Sequence, residues 1–321
     1  MTHSRRSPFV LDLSLRSGLL CVLLLLGSGS LAAQDAAADA GQAYEPKRGQ
    51  AGKDVVWIPT PDELVTRMLR LAQVTPQDFL VDLGAGDGKI VIAAARDFGA
   101  RGLGLEYDPK LAEHAQRNVR EAGVADKAQI RQADIFATDF SNADVVTMYL
   151  LPNLNLKLRP TLMAMKPGTR LVSHQFTMGD WRPDETSWVA NRPAFLWIVP
   201  ANVGGKWRAS WQDGGGAAGG AQLSIEQVFQ ELKGGIDFGA IRTSLRNPRL
   251  QGAQLEFSFT DERGSVRRVA ASAGGDRLQG TISGPDGSTA FSAIREGLAP
   301  PLGEAPASGD ELINAMRQLG E

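Results

Sequence analysis

The chain has 321 residues, of which 43% are hydrophobic and 22% are charged, and its formal net charge at pH 7 is -2. This length allows two domains, and the near-neutral charge excludes the strongly basic composition typical of nucleic-acid-binding proteins. Cys21 is the only cysteine and lies in the leader described next, so the rest of the chain has no disulfide and no cysteine nucleophile. The three histidines are too far apart in sequence to form a recognisable metal motif.

Residues 1–33 have the composition of a secretory signal peptide, with arginines first, then an apolar run over 19–26, then small residues. The apolar run is too short to span a bilayer. The pair Arg5-Arg6 is also weakly similar to a twin-arginine export signal. We therefore expect an exported, periplasmic protein with no stable membrane span after cleavage near residue 32 or 33. An uncleaved anchor or a misassigned start codon is the alternative.

Residues 34–53 are rich in Ala, Gly, Asp and Gln, which predicts a disordered linker. The next element is a helix that reaches about residue 73. Thr60 is the predicted N-cap, Pro61 fits the first helical position and Glu63 completes a capping box. The turn at Thr60 either only starts this helix or also forms a wall of a binding pocket.

Residues 79–89 predict a buried strand, a glycine-rich turn and the start of a helix, which is the first half of a nucleotide-binding βαβ unit. Gly84 and Gly86 match a dinucleotide loop, but Lys89 stands where its third glycine belongs. Asp82 ends the strand, and its charge suits a cationic amino-acid group better than a pyrophosphate. The stretch resembles motif I of class I S-adenosylmethionine (SAM) methyltransferases. The resemblance implies that the aspartate and both glycines bind SAM.

An acidic residue ends the second predicted strand, over residues 101–106, and another follows the third, over residues 128–132. Glu106 lies 24 residues after Asp82, where a carboxylate accepts hydrogen bonds from both ribose hydroxyls of a nucleotide. The resemblance to SAM enzymes implies that Asp134 contacts the adenine amino group and that the two apolar residues after it pack near the base. The alternatives are a surface acid for the glutamate and a solvated loop acid for the aspartate.

Residues 143–149 predict a fourth strand and residues 169–174 a fifth, which gives an α/β fold: a Rossmann-like class I methyltransferase sheet with helices on both faces. The carboxyl ends of such strands face the ligand crevice. Tyr149 and Asn153 therefore lie at its reactive end. His174, at the end of the fifth strand, is either a catalytic base or a hydrogen-bonded strand-end group.

Four stretches, in the order in which they occur along the chain, carry a more specific resemblance. They are Trp57-Ile58-Pro59-Thr60-Pro61, the glycine turn, Tyr149-Leu150-Leu151-Pro152 and Val172-Ser173-His174-Gln175-Phe176. Together they resemble the mitochondrial ATP-synthase c-subunit lysine methyltransferases and their prokaryotic relatives, over a methyltransferase domain assigned to residues 54–200. The resemblance implies SAM-dependent methyl transfer to a protein lysine. This chain departs from that family in its leader and in an additional C-terminal region.

A lysine nucleophile must be neutral, and burial in an apolar channel lowers its pKa. Tyr149 is the predicted catalytic residue of that channel, with a ring that attracts cations, and Asn153 is predicted to orient the amine. Tyr149 is otherwise a core residue at a strand end. Trp181 either covers the substrate mouth or packs in the interior. The alternative functions are a small-molecule methyltransferase and an exported, non-catalytic SAM-fold binding module.

Residues 201–297 predict a small antiparallel β domain, a meander or a barrel, whose partner is unknown. Apolar and polar residues alternate over 255–260, which is typical of a half-buried strand. The Gly-x-Trp sequence at 205–207 is typical of small up-and-down barrels, and the glycine-rich residues 214–220 are expected to interrupt the strands. Residues 298–321 predict a tail with one short helix.

Overall fold

A computed structural model of the protein describes residues 44–52, 56–212 and 218–303. The predicted signal peptide, most of the predicted linker and the predicted C-terminal helix lie outside the described residues. Part of the predicted glycine-rich interruption does so as well. None of the helices in the described ranges has the length and apolar character that crossing a bilayer requires.

The described residues before position 200 form a seven-stranded sheet with helices on both faces. This confirms the predicted Rossmann-like fold, whose first five strands the sequence predicts. Its elements are α1 (Asp62–Leu71), β1 (Phe79–Leu83), α2 (Lys89–Phe98), β2 (Arg101–Glu106), α3 (Pro109–Glu121), β3 (Ala128–Gln132), β4 (Val145–Met148), α4 (Pro152–Met163), β5 (Arg170–His174), β6 (Glu185–Val189) and β7 (Arg192–Ile198).

The strand order of this sheet is β3-β2-β1-β4-β5-β7-β6, with β1 to β5 parallel and β7 antiparallel to both of its neighbours. The order reverses between β1 and β4, because β2 and β3 follow on one side and β5 on the other. A crevice opens at such a reversal, outside the carboxyl ends of the strands. The fold therefore places the ends of β1, β2 and β4 around one site.

Two apolar cores cover the two faces of the sheet. On one face α1, α2 and α3 pack through residues such as Leu64, Val91 and Ala115. On the other face α4 packs through Leu158 and Leu162, beside buried aromatic side chains. A single described helix therefore covers part of the second face, and other segments complete it.

The second half of the described chain forms a nine-stranded antiparallel sheet, which confirms the predicted β domain. Its strands are β8 (Gly205–Gln212), β9 (Ala218–Val228), β10 (Glu231–Asp237), β11 (Arg242–Ser244), β12 (Arg246–Gln251), β13 (Gln254–Thr260), β14 (Val266–Gly274), β15 (Arg277–Gly284) and β16 (Gly287–Glu296).

The order of this sheet is β11-β10-β9-β8-β16-β15-β14-β13-β12, so its first strand pairs with its last. The two end strands, β11 and β12, follow each other in the chain with only Leu245 between them. The Leu245 N–H donates to the Gly234 carbonyl of β10, which brings the start of β12 beside the β10–β11 edge. The sheet is thus a nearly closed barrel. Its interior is filled by side chains such as Trp207, Phe257 and Phe291.

The barrel contacts the seven-stranded sheet through the tip of the β9–β10 hairpin. Phe229 at this tip is buried in the core on the α4 face, where its ring is stacked on Trp181 with centroids 5.8 Å apart. The Trp181 indole N–H donates to the Gln230 side chain at 3.0 Å. The hairpin tip therefore supplies part of the cover that α4 alone does not give.

Three local expectations differ from the structure. Thr60 does not cap α1: the N-cap position is Pro61, without a side-chain cap, because the Thr60 hydroxyl is engaged elsewhere. Strand β6 is not among the predicted strands, because its residues are mostly exposed and show no apolar alternation. Gly219 and Gly220 belong to β9 rather than to an interruption, and Trp211 lies over the first of them.

Candidate functional site

A cavity of about 560 Å³ opens at the carboxyl ends of β1, β2 and β4. This volume lies within the range of small-molecule and cofactor sites, about 300–1,000 Å³. The sequence-predicted residues that line it are Thr60, Asp82, Gly84, Gly86, Glu106, Asp134 and Tyr149. Asn153, the remaining predicted site residue, is exposed on α4 and does not line the cavity.

The glycine turn between β1 and α2 forms one side of the cavity. Gly84, Gly86 and Gly88 have φ angles of 78°, 57° and 81°, which side chains with a Cβ rarely adopt. At Gly86 a Cβ would also lie 2.5 Å from the Trp57 indole nitrogen. The turn thus needs glycine for its backbone conformation and for the close approach of this indole.

Asp82 is the penultimate residue of β1 and is only 2% exposed. The Thr147 hydroxyl, on the neighbouring strand β4, donates to its Oδ1 at 2.7 Å. The pKa of Asp82 is raised to about 7: burial raises it most, the Thr147 hydrogen bond lowers it in part, and the nearby carboxylates of Asp87 and Glu106 raise it. A buried acid of this kind accepts a proton or a cation readily, which fits the amino group of an amino acid.

Glu106 ends β2 and holds the glycine turn in place. The Gly86 N–H donates to Oε2 at 2.8 Å, and the Asp108 N–H donates to Oε1 at 3.0 Å. Burial raises the pKa of Glu106, and these backbone N–H groups lower it in part. Each carboxylate oxygen keeps a second lone pair, so a pair of vicinal hydroxyls can still donate to this side chain.

Asp134 follows β3 and begins the rim on the far side of Glu106. Its Oδ1 accepts a hydrogen bond from the Phe136 N–H at 2.9 Å, which turns the chain so that Ile135 and Phe136 also line the cavity. The ammonium of Lys157 lies 3.8 Å from the centroid of the Phe136 ring. This corner offers one carboxylate between apolar surfaces, which suits a flat heteroaromatic base.

The opposite end of the cavity has an aromatic wall, formed by the rings of Tyr149 and Phe176. Their centroids are 6.2 Å apart and their planes differ by 23°. His174 packs against Tyr149, with ring centroids 3.8 Å apart, and shares a hydrogen bond of 3.1 Å with the Thr60 hydroxyl. Burial, with a smaller effect of Arg192, lowers the pKa of His174 to about 4, so this imidazole is neutral at pH 7.

The asparagine that supports this wall is Asn155, not Asn153. Its side-chain amide is fully buried, and the amide N–H groups donate to the carbonyls of Phe176 and Thr177, each at 3.3 Å. Ser173 also donates to the Phe176 carbonyl, at 2.7 Å. The helical spacing signals this residue, because it shares a buried stripe with leucines at positions 154, 158 and 162.

Trp181 packs in the interior and does not cover the mouth of the cavity. It is 0% exposed, and its backbone carbonyl accepts a hydrogen bond from the Trp197 indole at 2.8 Å. Of the two interpretations that the sequence allows for Trp181, the structure therefore supports packing in the interior. Trp57, which sequence reasoning used only as part of a motif, is the tryptophan that lines the cavity.

The lining fits SAM in three parts. Asp82 faces the glycine turn as a partner for an ammonium, Glu106 is placed for ribose hydroxyls, and Asp134 lies between apolar surfaces suited to adenine. No group of three or more His, Cys, Asp or Glu side chains in the described ranges is arranged to hold a metal ion.

Comparisons with known proteins point to one family. Residues 82–185 match the profile of the ANTKMT methyltransferase domain. A protein-lysine N-methyltransferase of Saccharolobus islandicus (strain REY15A) is 40% identical over 151 residues, which cover 45% of this chain and 94% of that protein. The ATP-synthase c-subunit lysine N-methyltransferase of Mus musculus is 32% identical over 126 residues, 39% of this chain and 49% of the mouse protein.

A similar solved structure is titled an RNA methyltransferase from Salinibacter ruber in complex with S-adenosyl-L-homocysteine. It shares 52% sequence identity with a TM-score of 0.45, covering 46% of this chain and 96% of that one.

Proposed function

The chain belongs to the family of SAM-dependent protein-lysine N-methyltransferases, and from this membership we propose that it methylates a lysine of a protein outside the cytoplasm. When bound, SAM supplies an electrophilic methyl group on its sulfonium. The observation that carries the lysine assignment is the aromatic wall: Tyr149 and Phe176 line the same cavity as Asp82 and Glu106. The carboxylates form the cofactor end of the cavity and the aromatic wall forms the substrate end.

The aromatic wall and the leucines beside it act on the protonation of the incoming lysine. Leu150, Leu151 and Leu154 line the cavity next to Tyr149. A free lysine has a pKa of about 10.4, so it is almost entirely an ammonium at pH 7. Apolar surroundings disfavour the charged form and lower that pKa. The wall therefore raises the fraction of amine able to attack, without a dedicated base.

Tyr149 has a second effect, because an aromatic face attracts a cation by about 0.5–2 kcal/mol. The ring favours entry of the ammonium form and holds the amine near the reacting centre. Displacement at a methyl group depends mainly on such positioning. His174 does not line the cavity, so its imidazole is not in the place of a catalytic base.

The proposal of export depends on residues 1–33, whose arginines, apolar run and small residues match a signal peptide. The Arg5-Arg6 pair is compatible with a route that carries folded proteins, and such a route allows SAM to leave the cytoplasm inside its cavity. Fractionation of cells with and without the twin-arginine system tests this. We expect mature protein in the periplasmic fraction of the first strain only.

Methyl transfer is tested with the chain lacking residues 1–33, radiolabelled SAM and separate envelope and cytoplasmic extracts. The label is then counted in protein and in low-mass fractions, and labelled proteins are digested to identify methylated lysines. Glu106→Gln is the matched control, because it keeps the shape of the cofactor site and removes one charge.

We expect label on lysine in envelope protein, and none with the control. Label confined to low-mass compounds would identify a small-molecule methyltransferase. Tight SAM binding without any transfer would identify a non-catalytic binding module, and label confined to cytoplasmic protein would remove the export proposal alone.

A further inference from the structure

His174 lies behind the substrate wall rather than in it. It is 2% exposed and is not part of the cavity lining, whereas Tyr149 is. The two ring centroids are 3.8 Å apart and the planes differ by 32°. The imidazole thus covers one face of the tyrosine ring. Only the other face, the edge and the hydroxyl remain for the cavity.

The imidazole is itself held from the cofactor end of the cavity. Its Nδ1 lies 3.1 Å from the Thr60 hydroxyl, and Thr60 lines the cavity. The Thr60 carbonyl accepts a hydrogen bond from the Lys89 ammonium at 3.2 Å, and Lys89 is the first residue of α2, directly behind the glycine turn. Contacts therefore run without a break from the turn to the tyrosine ring.

A second neighbour of Tyr149 is also fixed. Phe176 is held by its carbonyl, which accepts hydrogen bonds from Ser173 and Asn155. Gln175, which lies between His174 and Phe176 in the chain, has φ 71°. Residues other than glycine adopt this conformation only when their surroundings enforce it. Both neighbours of the tyrosine ring are thus anchored, and the ring has little freedom to tilt.

We propose that His174 is a positioning residue: it sets the plane and depth of the Tyr149 ring at the substrate end, and its hydrogen bond to Thr60 ties that position to the cofactor end. This inference rests on the proposed function for its effect on rate. It assigns the imidazole no contact with substrate or cofactor and no proton transfer.

The neutral state of the imidazole suits this role. A positive charge directly behind the ring would repel a cationic amine and a sulfonium on the other side, since charges a few ångströms apart interact strongly in a poorly solvated site. A neutral ring gives the same packing without that repulsion. A phenyl ring should therefore replace the imidazole better than a small or a charged side chain does.

The experiment compares His174→Ala, His174→Phe and Thr60→Val. The first removes the ring, the second keeps a ring without the hydrogen bond, and the third keeps the shape of Thr60 without its hydroxyl. Calorimetry gives the SAM affinity. Kinetics with the unmethylated form of the substrate protein that the labelling experiment identifies give kcat and KM over a range of pH. A misplacement of about 1 Å can reduce a rate by about 100-fold.

We expect His174→Ala to lower kcat by roughly 10- to 100-fold while SAM affinity changes by about twofold or less. His174→Phe should recover the part of the loss that comes from ring packing, and Thr60→Val should show the smaller part that comes from the hydrogen bond. The pH profile of kcat should keep its shape in all three variants. The inference is overturned if His174→Phe is as inactive as His174→Ala and the rising limb of the pH profile disappears, because that result identifies a base. A loss of SAM affinity equal to the loss of kcat would overturn it as well.

A readout that needs no substrate separates this inference from the proposed function. The chain has three tyrosines, so 3-fluorotyrosine labelling gives few ¹⁹F signals, and Tyr149→Phe identifies the one from Tyr149. We expect that signal to move and broaden in His174→Ala but to stay sharp in His174→Phe. An unchanged signal in His174→Ala overturns the positioning role, whatever the enzyme methylates.

Discussion

At the scale of residues, the site depends on two acids at the ends of adjacent strands. Asp82 of β1 lies opposite Gly104 of β2, and Glu106 follows two residues later on β2. Burial raises the pKa of both acids, and their charges oppose each other. Removing charge from water is costly unless a partner replaces the lost hydration. The site is thus prepared for a ligand that brings a positive charge.

SAM affinity should depend on pH through Asp82. Its pKa of about 7 means that it is protonated in the ligand-free protein at lower pH, and a neutral acid binds an ammonium poorly. We expect the affinity to fall by up to about tenfold for each pH unit below 7. Calorimetry between pH 5.5 and 7.5 measures this. Asp82→Asn should bind weakly with a much flatter pH dependence, and an equal slope in both proteins would refute the assignment.

The same acid should lower the stability of the ligand-free protein at neutral pH. Its pKa is raised from 3.8 to about 7 on folding, so its favourable contribution is present below pH 3.8 and is lost as pH rises to about 7. Asp82→Asn should therefore melt at a higher temperature than the native chain at pH 8, with a gap that shrinks towards pH 4. Thermal melts without ligand test this. A melting-temperature gain of Asp82→Asn over the native chain that is smaller at pH 8 than at pH 5 would contradict it.

At the scale of elements, the glycine turn and the segment that precedes α1 form one unit. Trp57 reaches over Gly86, and Thr60 is tied both to α2 and to β5. The cofactor end of the cavity is therefore built from segments that are distant in sequence. A substitution in the turn should therefore displace the tryptophan and change its fluorescence.

Gly86→Ala tests this unit. The new Cβ would lie 2.5 Å from the Trp57 indole, so we expect a displaced tryptophan, a shifted fluorescence spectrum and a loss of SAM affinity of more than about tenfold, since one misfit in a site can cost over 1.4 kcal/mol. Gly123→Ala is the control: its φ is 68°, and a Cβ there meets nothing within 4 Å. It should lower the free energy of unfolding by about 1–2 kcal/mol, because of the strained backbone, and leave binding intact. Equal binding losses in both variants would show that backbone strain alone is responsible.

The sequence predicts much of this site because strand ends are easy to recognise. Asp82 and Glu106 end apolar strands, and the parallel order of the sheet brings such ends together. Proximity to the strand end favours Asn153, whereas the spacing of the leucines, which marks the buried stripe of the helix, indicates Asn155. Thr60 has the sequence context of an N-cap, but its hydroxyl forms a hydrogen bond with His174, 114 residues later in the chain. Contacts of that range leave no local pattern.

At the scale of the whole molecule, the two sheets share a core. Phe229 enters from the nine-stranded sheet and packs on Trp181 of the other, while the Arg159 guanidinium lies 5.6 Å from the phenyl centroid. The two halves of the described chain are therefore joined by buried contacts rather than by a linker alone. No pattern near residue 181 indicates a partner 48 positions later, which is why the sequence leaves the role of this tryptophan open.

Phe229→Ala should separate the two halves. Loss of a buried phenylalanine typically costs about 3–5 kcal/mol, and here the loss falls at the junction. We expect one cooperative unfolding transition in the native chain and two in this variant, measured by calorimetry. Phe291→Ala, inside the nine-stranded sheet, is the control, and it should lower stability without opening the junction. A single transition in Phe229→Ala would show that the hairpin tip does not join the halves.

The pairing of β8 with β16 has a consequence for the timing of synthesis. Arg295 on β16 covers the indole of Trp207 on β8 at 4.1 Å and donates to the carbonyls of Asn202 and Gly204. The tryptophan is synthesised 88 residues before this arginine. At 5–20 residues per second that delay is roughly 4–18 s. Throughout it β8 has an open edge and an uncovered indole, so this strand is where we expect a chaperone to bind the growing chain.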